Sequence, residues 1–129
     1  MTLFESELTE QIIGAAFHVF NTLGYGYQEK YYQRCLAIAL EKKGVSFQRE
    51  CSVPIMYEAE KVGSYRLDFL VEDKIIVELK VFPTMGKIPV AQILGYLTAL
   101  QLKLALVLCF TRQGVVVRRY LNPTLPRVP

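Results

Sequence analysis

The sequence has no block of like charges, no apolar run long enough to cross a bilayer, and only three cysteines and one histidine among 129 residues. Each scarcity narrows the field. The longest late apolar run, residues 104 to 110, is far short of the about 20 residues a transmembrane helix needs. The start, Met-Thr-Leu-Phe-Glu-Ser-Glu, lacks the basic residues and apolar core of a secretion signal, so a cytoplasmic location is expected, with no membrane partner. Cys35, Cys51 and Cys109 are odd in number and scattered without zinc-site spacing, which suits free buried thiols in a reducing compartment. His18 lies off the apolar stripe of its segment and is assigned no role. There is no internal repeat or low-complexity segment, so a single domain over residues 1–122 is expected, followed by a proline-rich tail at 123–129. A net charge of +3 permits an anionic partner without demanding one.

What is present reads as α/β. With 52% hydrophobic residues, a chain of this length can bury about two thirds of its unfolded surface. Ile12, Ile13, Ala16, Phe17, Phe20 and Leu23 recur at helical spacing, and Gly24 is a natural stop. Tyr32, Cys35, Leu36, Ala39 and Leu40 form a second stripe that ends at Lys42-Lys43-Gly44, with Glu29 above Tyr32 and Leu36. Phe47, Cys51, Val53, Ile55 and Tyr57 alternate as a strand, and Pro54 marks an edge or bulge. After the next two strands, Pro89 opens a third helix running through Leu100, on which Gln92 and Tyr96 share a face. Residues 104–110 read as a strand buried on both faces and 115–121 as a last, more polar one. The predicted order is α-α-β-β-β-α-β-β.

Residues 62–80 are the odd part. They form a hairpin that carries Asp68, Glu78 and Lys80 where a sheet is usually apolar. Glu78 and Lys80 share a face with Ile76, whereas Ile75, Val77, Leu79 and Val81 point the other way. A three-residue turn at 72–74 sets Val71 opposite Ile75 and Asp68 opposite Glu78, with Cβ atoms roughly 4.5–5.5 Å apart. Two carboxylates at that distance repel by about 3 kcal/mol at an effective dielectric near 20. The pair therefore calls for a cation, a shared proton or abundant water, and a divalent metal is the natural cation.

Asp68, then Glu78-Leu79-Lys80, then Gln92-Ile93-Leu94-Gly95-Tyr96 resembles the PD-(D/E)XK nuclease superfamily in its branch with a QxxxY motif. Gly26-Tyr27-Gln28-Glu29-Lys30-Tyr31-Tyr32 resembles the signature of the GxxExxY proteins within it. The resemblance implies a restriction-endonuclease-like core, a mixed central sheet flanked by helices, and a metal-dependent phosphodiesterase. By that analogy Asp68, Glu78, Glu29 and the Leu79 carbonyl hold Mg2+ or Mn2+. Lys80, with Glu29, Asp68 and Glu78, makes the catalytic set, and Gln92 and Tyr96 position the substrate. The implied partner is nucleic acid, DNA ahead of RNA. Four departures stand out: Tyr25 replaces a common proline, Phe20 a histidine, Leu67 the motif's proline and Gln101 a glycine. None removes an implied ligand. The rival reading is a catalytically silent nuclease-fold module that binds nucleic acid or protein, as a homodimer, because so small a chain has little surface to grip a duplex.

Overall fold

A computed structural model describes residues 6–125. Its elements are α1 (Ser6–Leu23), α2 (Glu29–Lys42), β1 (Phe47–Tyr57), β2 (Glu60–Val71), β3 (Ile75–Val81), α3 (Val90–Leu100), β4 (Leu104–Thr111) and β5 (Gly114–Leu121). This is the expected order. The strands form one mixed sheet, β1-β2-β3-β4-β5, antiparallel except for the β3–β4 pair. Parallel neighbours need a crossover, which α3 supplies.

The helices divide between the two faces. Ile12, Ala15, Ala16 and Val19 of α1 and Tyr32, Leu36, Ala37 and Leu40 of α2 pack on Phe69, Val71, Ile75, Val77 and Leu79. Ile93, Tyr96 and Leu97 of α3 pack on the opposite face with Leu67, Ile76, Val107 and Cys109. Every residue of β4 is buried, as a strand with a helix over each face must be. The expected α1 stripe needs correction, because Phe17 is exposed and the buried line runs through Ala15 and Val19. Cys109 is buried, but Cys35 and Cys51 are only half-buried, so the free thiols are not uniformly interior. Among the described residues no helix is long and apolar enough to cross a membrane.

Local devices fix the ends of the helices that border the functional face. Gly24 adopts φ +75°, the left-handed conformation that ends α1, and its carbonyl accepts a 2.6 Å hydrogen bond from the Tyr32 hydroxyl. Tyr32 also stacks on Phe110, with ring centroids 4.5 Å apart, so the first turns of α2 are tied to both the α1 stop and the sheet. At the far end of α3, Gln101 takes a left-handed conformation at φ +55°. Buried Asn122 donates to the Leu97 and Leu102 carbonyls there, at 3.1 and 2.9 Å. The expected tail folds back at its start, where the Thr124 N–H donates to Asn122. Residues 126–129 of that tail lie outside the described residues.

Candidate active site

The turn after β2 has the expected three residues. Val71 pairs with Ile75, and Glu72 and Asp73 both sit at φ +53°. The Ser46 N–H donates to the Glu72 carboxylate at 2.8 Å and the Glu72 N–H donates back to the Ser46 carbonyl, which pins the turn. The β2–β3 ladder then covers only three pairs, ending at Phe69 and Val77. In this register Asp68 comes next on β2 and Glu78 next on β3, so the ladder stops where the two acids meet.

Side chains replace the ladder at that point. The Asp68 N–H donates to Glu78 Oε2 at 2.9 Å, and the Leu79 N–H donates to Asp68 Oδ2 at 2.8 Å. Each acid thus accepts from the backbone of the other strand, and the strands fork around the pair. The flanking residues explain how. Phe69 and Val71 belong to the α1/α2 side of the sheet, whereas Tyr65 and Leu67 belong to the α3 side, although all four share one parity. The same switch occurs on β1, between Phe47 and Cys51, at Glu50, whose φ is +52°. Sequence periodicity assumes a regular pleat and expects Phe47, Cys51 and Val53 on one face. The irregularity at Glu50 and Asp68 breaks that expectation and turns Asp68 into the fork.

The electrostatics follow from this enclosure. Burial first, then the adjacent Asp68 charge, pushes the Glu78 carboxyl up from 4.5 to about 8, with Lys80 opposing. Glu78 therefore holds a proton at neutral pH when no cation is near. The Glu29 carboxyl is also raised, by partial burial and then by Asp68, and lowered by Lys80. By surface area Glu29 is exposed. Glu29 is thus a rim group, exposed overall yet within reach of the Asp68 and Lys80 charges. The Tyr96 phenol is pushed up to about 12 by burial, then by Glu78, Tyr65 and Asp68, so it stays protonated.

Of the residues predicted from sequence, Asp68, Glu78, Leu79 and Lys80 come together in the fork, with Glu29 at its rim and Tyr96 beside it. Tyr96 packs edge-on against Tyr65, centroids 4.5 Å apart. Gln92 is exposed in the first turn of α3, and no hydrogen bond among the described residues ties it to the pair. It shares a helix side with Tyr96 but sits a turn nearer the solvent. Two residues are new. Buried Gln33 donates from Nε2 to Asp68 Oδ1 at 3.1 Å and accepts from Arg49 Nη2 at 3.0 Å. In the sequence Gln33 has only its place between Tyr32 and Leu36 of the buried stripe to mark it, and its partners on β1 and β2 are what reveal its role.

The donor set suits a hard divalent cation in part. Asp68 and Glu78 offer carboxylate oxygens in one enclosed spot, and a neighbouring like charge is what a cation relieves. Among the described residues no group of three or more His, Cys, Asp and Glu side chains gathers as a metal site. Glu29, expected as a further ligand, stands at the rim, where the Asp68 and Lys80 charges reach it. A small ion that keeps several of its waters needs only one or two carboxylates, so the pair alone fits Mg2+-type binding.

The profile of the PD-(D/E)XK nuclease superfamily matches residues 6–120. No curated protein matches the chain. One solved structure, described as the crystal structure of SSO0001, aligns with a TM-score of 0.55 at 18% identity, over 93% of this chain and 60% of that one. At that identity the likeness speaks for the fold, and this chain spans only about 60% of its relative's length.

Proposed function

The chain belongs to the PD-(D/E)XK nuclease superfamily, and from that premise we propose that it hydrolyses phosphodiester bonds in nucleic acid, DNA ahead of RNA, with Mg2+ or Mn2+. The observation that carries the reading is the interlocked Asp68–Glu78 pair, two acids enclosed side by side with each carboxylate bound to the backbone of the other strand. Asp68, Glu78 and the Leu79 carbonyl would hold the ion. When bound, it would supply charge for the scissile phosphate and acidify a water.

The protein's own groups do the rest. Lys80 projects on the Glu78 side of β3, close enough to lower the pKa of both Glu78 and Glu29. Its ammonium orients the attacking water and stabilises negative charge growing on the phosphate oxygens. Glu29, on the rim, accepts a hydrogen bond from a water at the mouth of the fork. Tyr96 keeps its phenolic proton and donates toward the substrate strand, and Gln92 meets that strand from the outer turn of α3.

The test is cleavage of single- and double-stranded DNA and RNA with Mg2+ or Mn2+, comparing the parent with Asp68→Ala and Lys80→Ala. Loss of cleavage by at least about a hundredfold in both variants is expected, as for removal of a group that stabilises transition-state charge. Equal residual activity in all three proteins would sink the enzymatic reading and leave the binding module.

A further inference from the structure

We propose that Gln33 is a positioning residue for Asp68 and that Arg49 orients it, so that β1 and α2 together hold one acid of the fork in place. The inference rests on the nuclease reading for its kinetic part and on geometry alone for its structural part.

The chemistry of the three groups leaves one arrangement. Arg49 has only donors, so it must meet the carbonyl end of the Gln33 amide, and Nη2 lies 3.0 Å from Oε1. That leaves Nε2 for the Asp68 carboxyl group, at 3.1 Å from Oδ1. A flipped amide would set oxygen against carboxylate and N–H against guanidinium. Arg49 is itself steadied over the Phe69 ring, 5.9 Å from its centroid. Phe69 is buried and adjoins Asp68 on β2.

The second observation is what the other Asp68 oxygen does. Oδ2 is taken by the Leu79 N–H at 2.8 Å. With Gln33 on Oδ1, both oxygens have fixed donors, and the plane of the carboxylate is set from two directions. Take away Gln33 and Oδ1 loses its fixed donor, so the carboxylate is held only from the β3 side, by the Leu79 N–H and Glu78. Gln33 is 8% exposed, so water has little room to replace the lost donor. Glu29, one turn earlier on α2, faces the same fork, so the helix brings a rim acid and a buried amide to the site together.

Variants at Gln33 and Arg49 test this by kinetics, and one spectroscopic signal tests it independently. Gln33→Met keeps length and burial and removes both polar ends. A fall in kcat of tenfold or more with KM within about twofold is expected, because the substrate is still bound while a reacting group is misplaced. Arg49→Met, at an exposed position where folding is not at risk, is expected to lower kcat at least threefold by freeing the amide to flip. Arg49→Lys, which still offers a donor to Oε1, is expected to restore most of it. Unchanged kcat in Gln33→Met and Arg49→Met would overturn the proposal.

The signal is the Gln33 side-chain amide in 15N-resolved NMR of the metal-free protein. It is expected to shift in Asp68→Ala and in Arg49→Met, and no shift in either would also overturn the proposal. If the parent cleaves nothing yet the amide responds to both variants, the nuclease reading falls and the positioning of Asp68 stands.

Discussion

Replacing Glu78 with glutamine should stabilise the metal-free protein at alkaline pH and barely affect it at acid pH. Glutamine keeps the shape, its Oε1 can still accept the Asp68 N–H, and its amide can donate to the Asp68 carboxylate, so only the titrating charge is removed. In the parent the Glu78 carboxyl has its pKa raised from 4.5 to about 8. Between those values the folded state keeps a proton that the unfolded chain releases, so folding stability falls as pH rises through the window and levels off above it. At about 1.4 kcal/mol per pH unit, the full gap is worth about 5 kcal/mol, and solvent reaching the half-buried carboxyl reduces this to about 2–4 kcal/mol. For a chain of this size that is a rise in Tm on the order of 10 °C. The assay is thermal unfolding in EDTA from pH 5 to 9, reading the Tm difference between variant and parent. It should be within about 2 °C at pH 5, grow through neutrality and reach a plateau above pH 8. A difference that does not change with pH, or a variant less stable than the parent at pH 9, would refute the argument that burial and Asp68 raise this carboxyl.

Two further predictions concern the end of α3. Gln101 sits at φ +55° at the helix C-cap, where glycine pays no Cβ penalty, so Gln101→Gly should raise stability by about 0.5–1 kcal/mol, read as a higher urea midpoint with unchanged slope. Asn122 is buried and donates to the Leu97 and Leu102 carbonyls, so Asn122→Ala should cost about 2–3 kcal/mol in the same titration and speed amide exchange through the last turn of α3.

Much of the architecture was legible because hydrophobic periodicity reports the faces of regular elements. The continuous apolar run of β4 announced a strand covered on both sides, and the polar 72–74 segment set the register that brings Asp68 to Glu78. Irregular geometry was hidden. Nothing in the spacing of Phe47, Cys51 and Val53 reveals that Glu50 turns the strand over, or that Leu67 and Phe69 face opposite ways, because alternation is read on the assumption of an unbroken pleat. The α1 stripe passed too close to Phe17 because Ala15 and Val19 carry less hydrophobic weight than an exposed aromatic. Gln92 was tied to the site through the resemblance to the QxxxY branch, and it stands in the exposed first turn of α3. Gln33 went unread, since one amide in an amphipathic helix looks like surface until its partners on β1 and β2 are known.

The short β2–β3 ladder gives the acids a second duty. The sheet consists of a long β1–β2 ribbon and a β3–β4–β5 block, and beneath the covering helices the seam between them is hydrogen-bonded through three residue pairs and the two carboxylate-to-amide bonds. The groups proposed to do the chemistry are therefore also fasteners. A substitution that silences the site by removing Asp68 takes an acceptor from Leu79 as well and loosens the join between two parts of the sheet. At Asp68 the proposed chemistry and the seam change together, whereas Glu78→Gln and Lys80→Ala leave the fastening bonds in place.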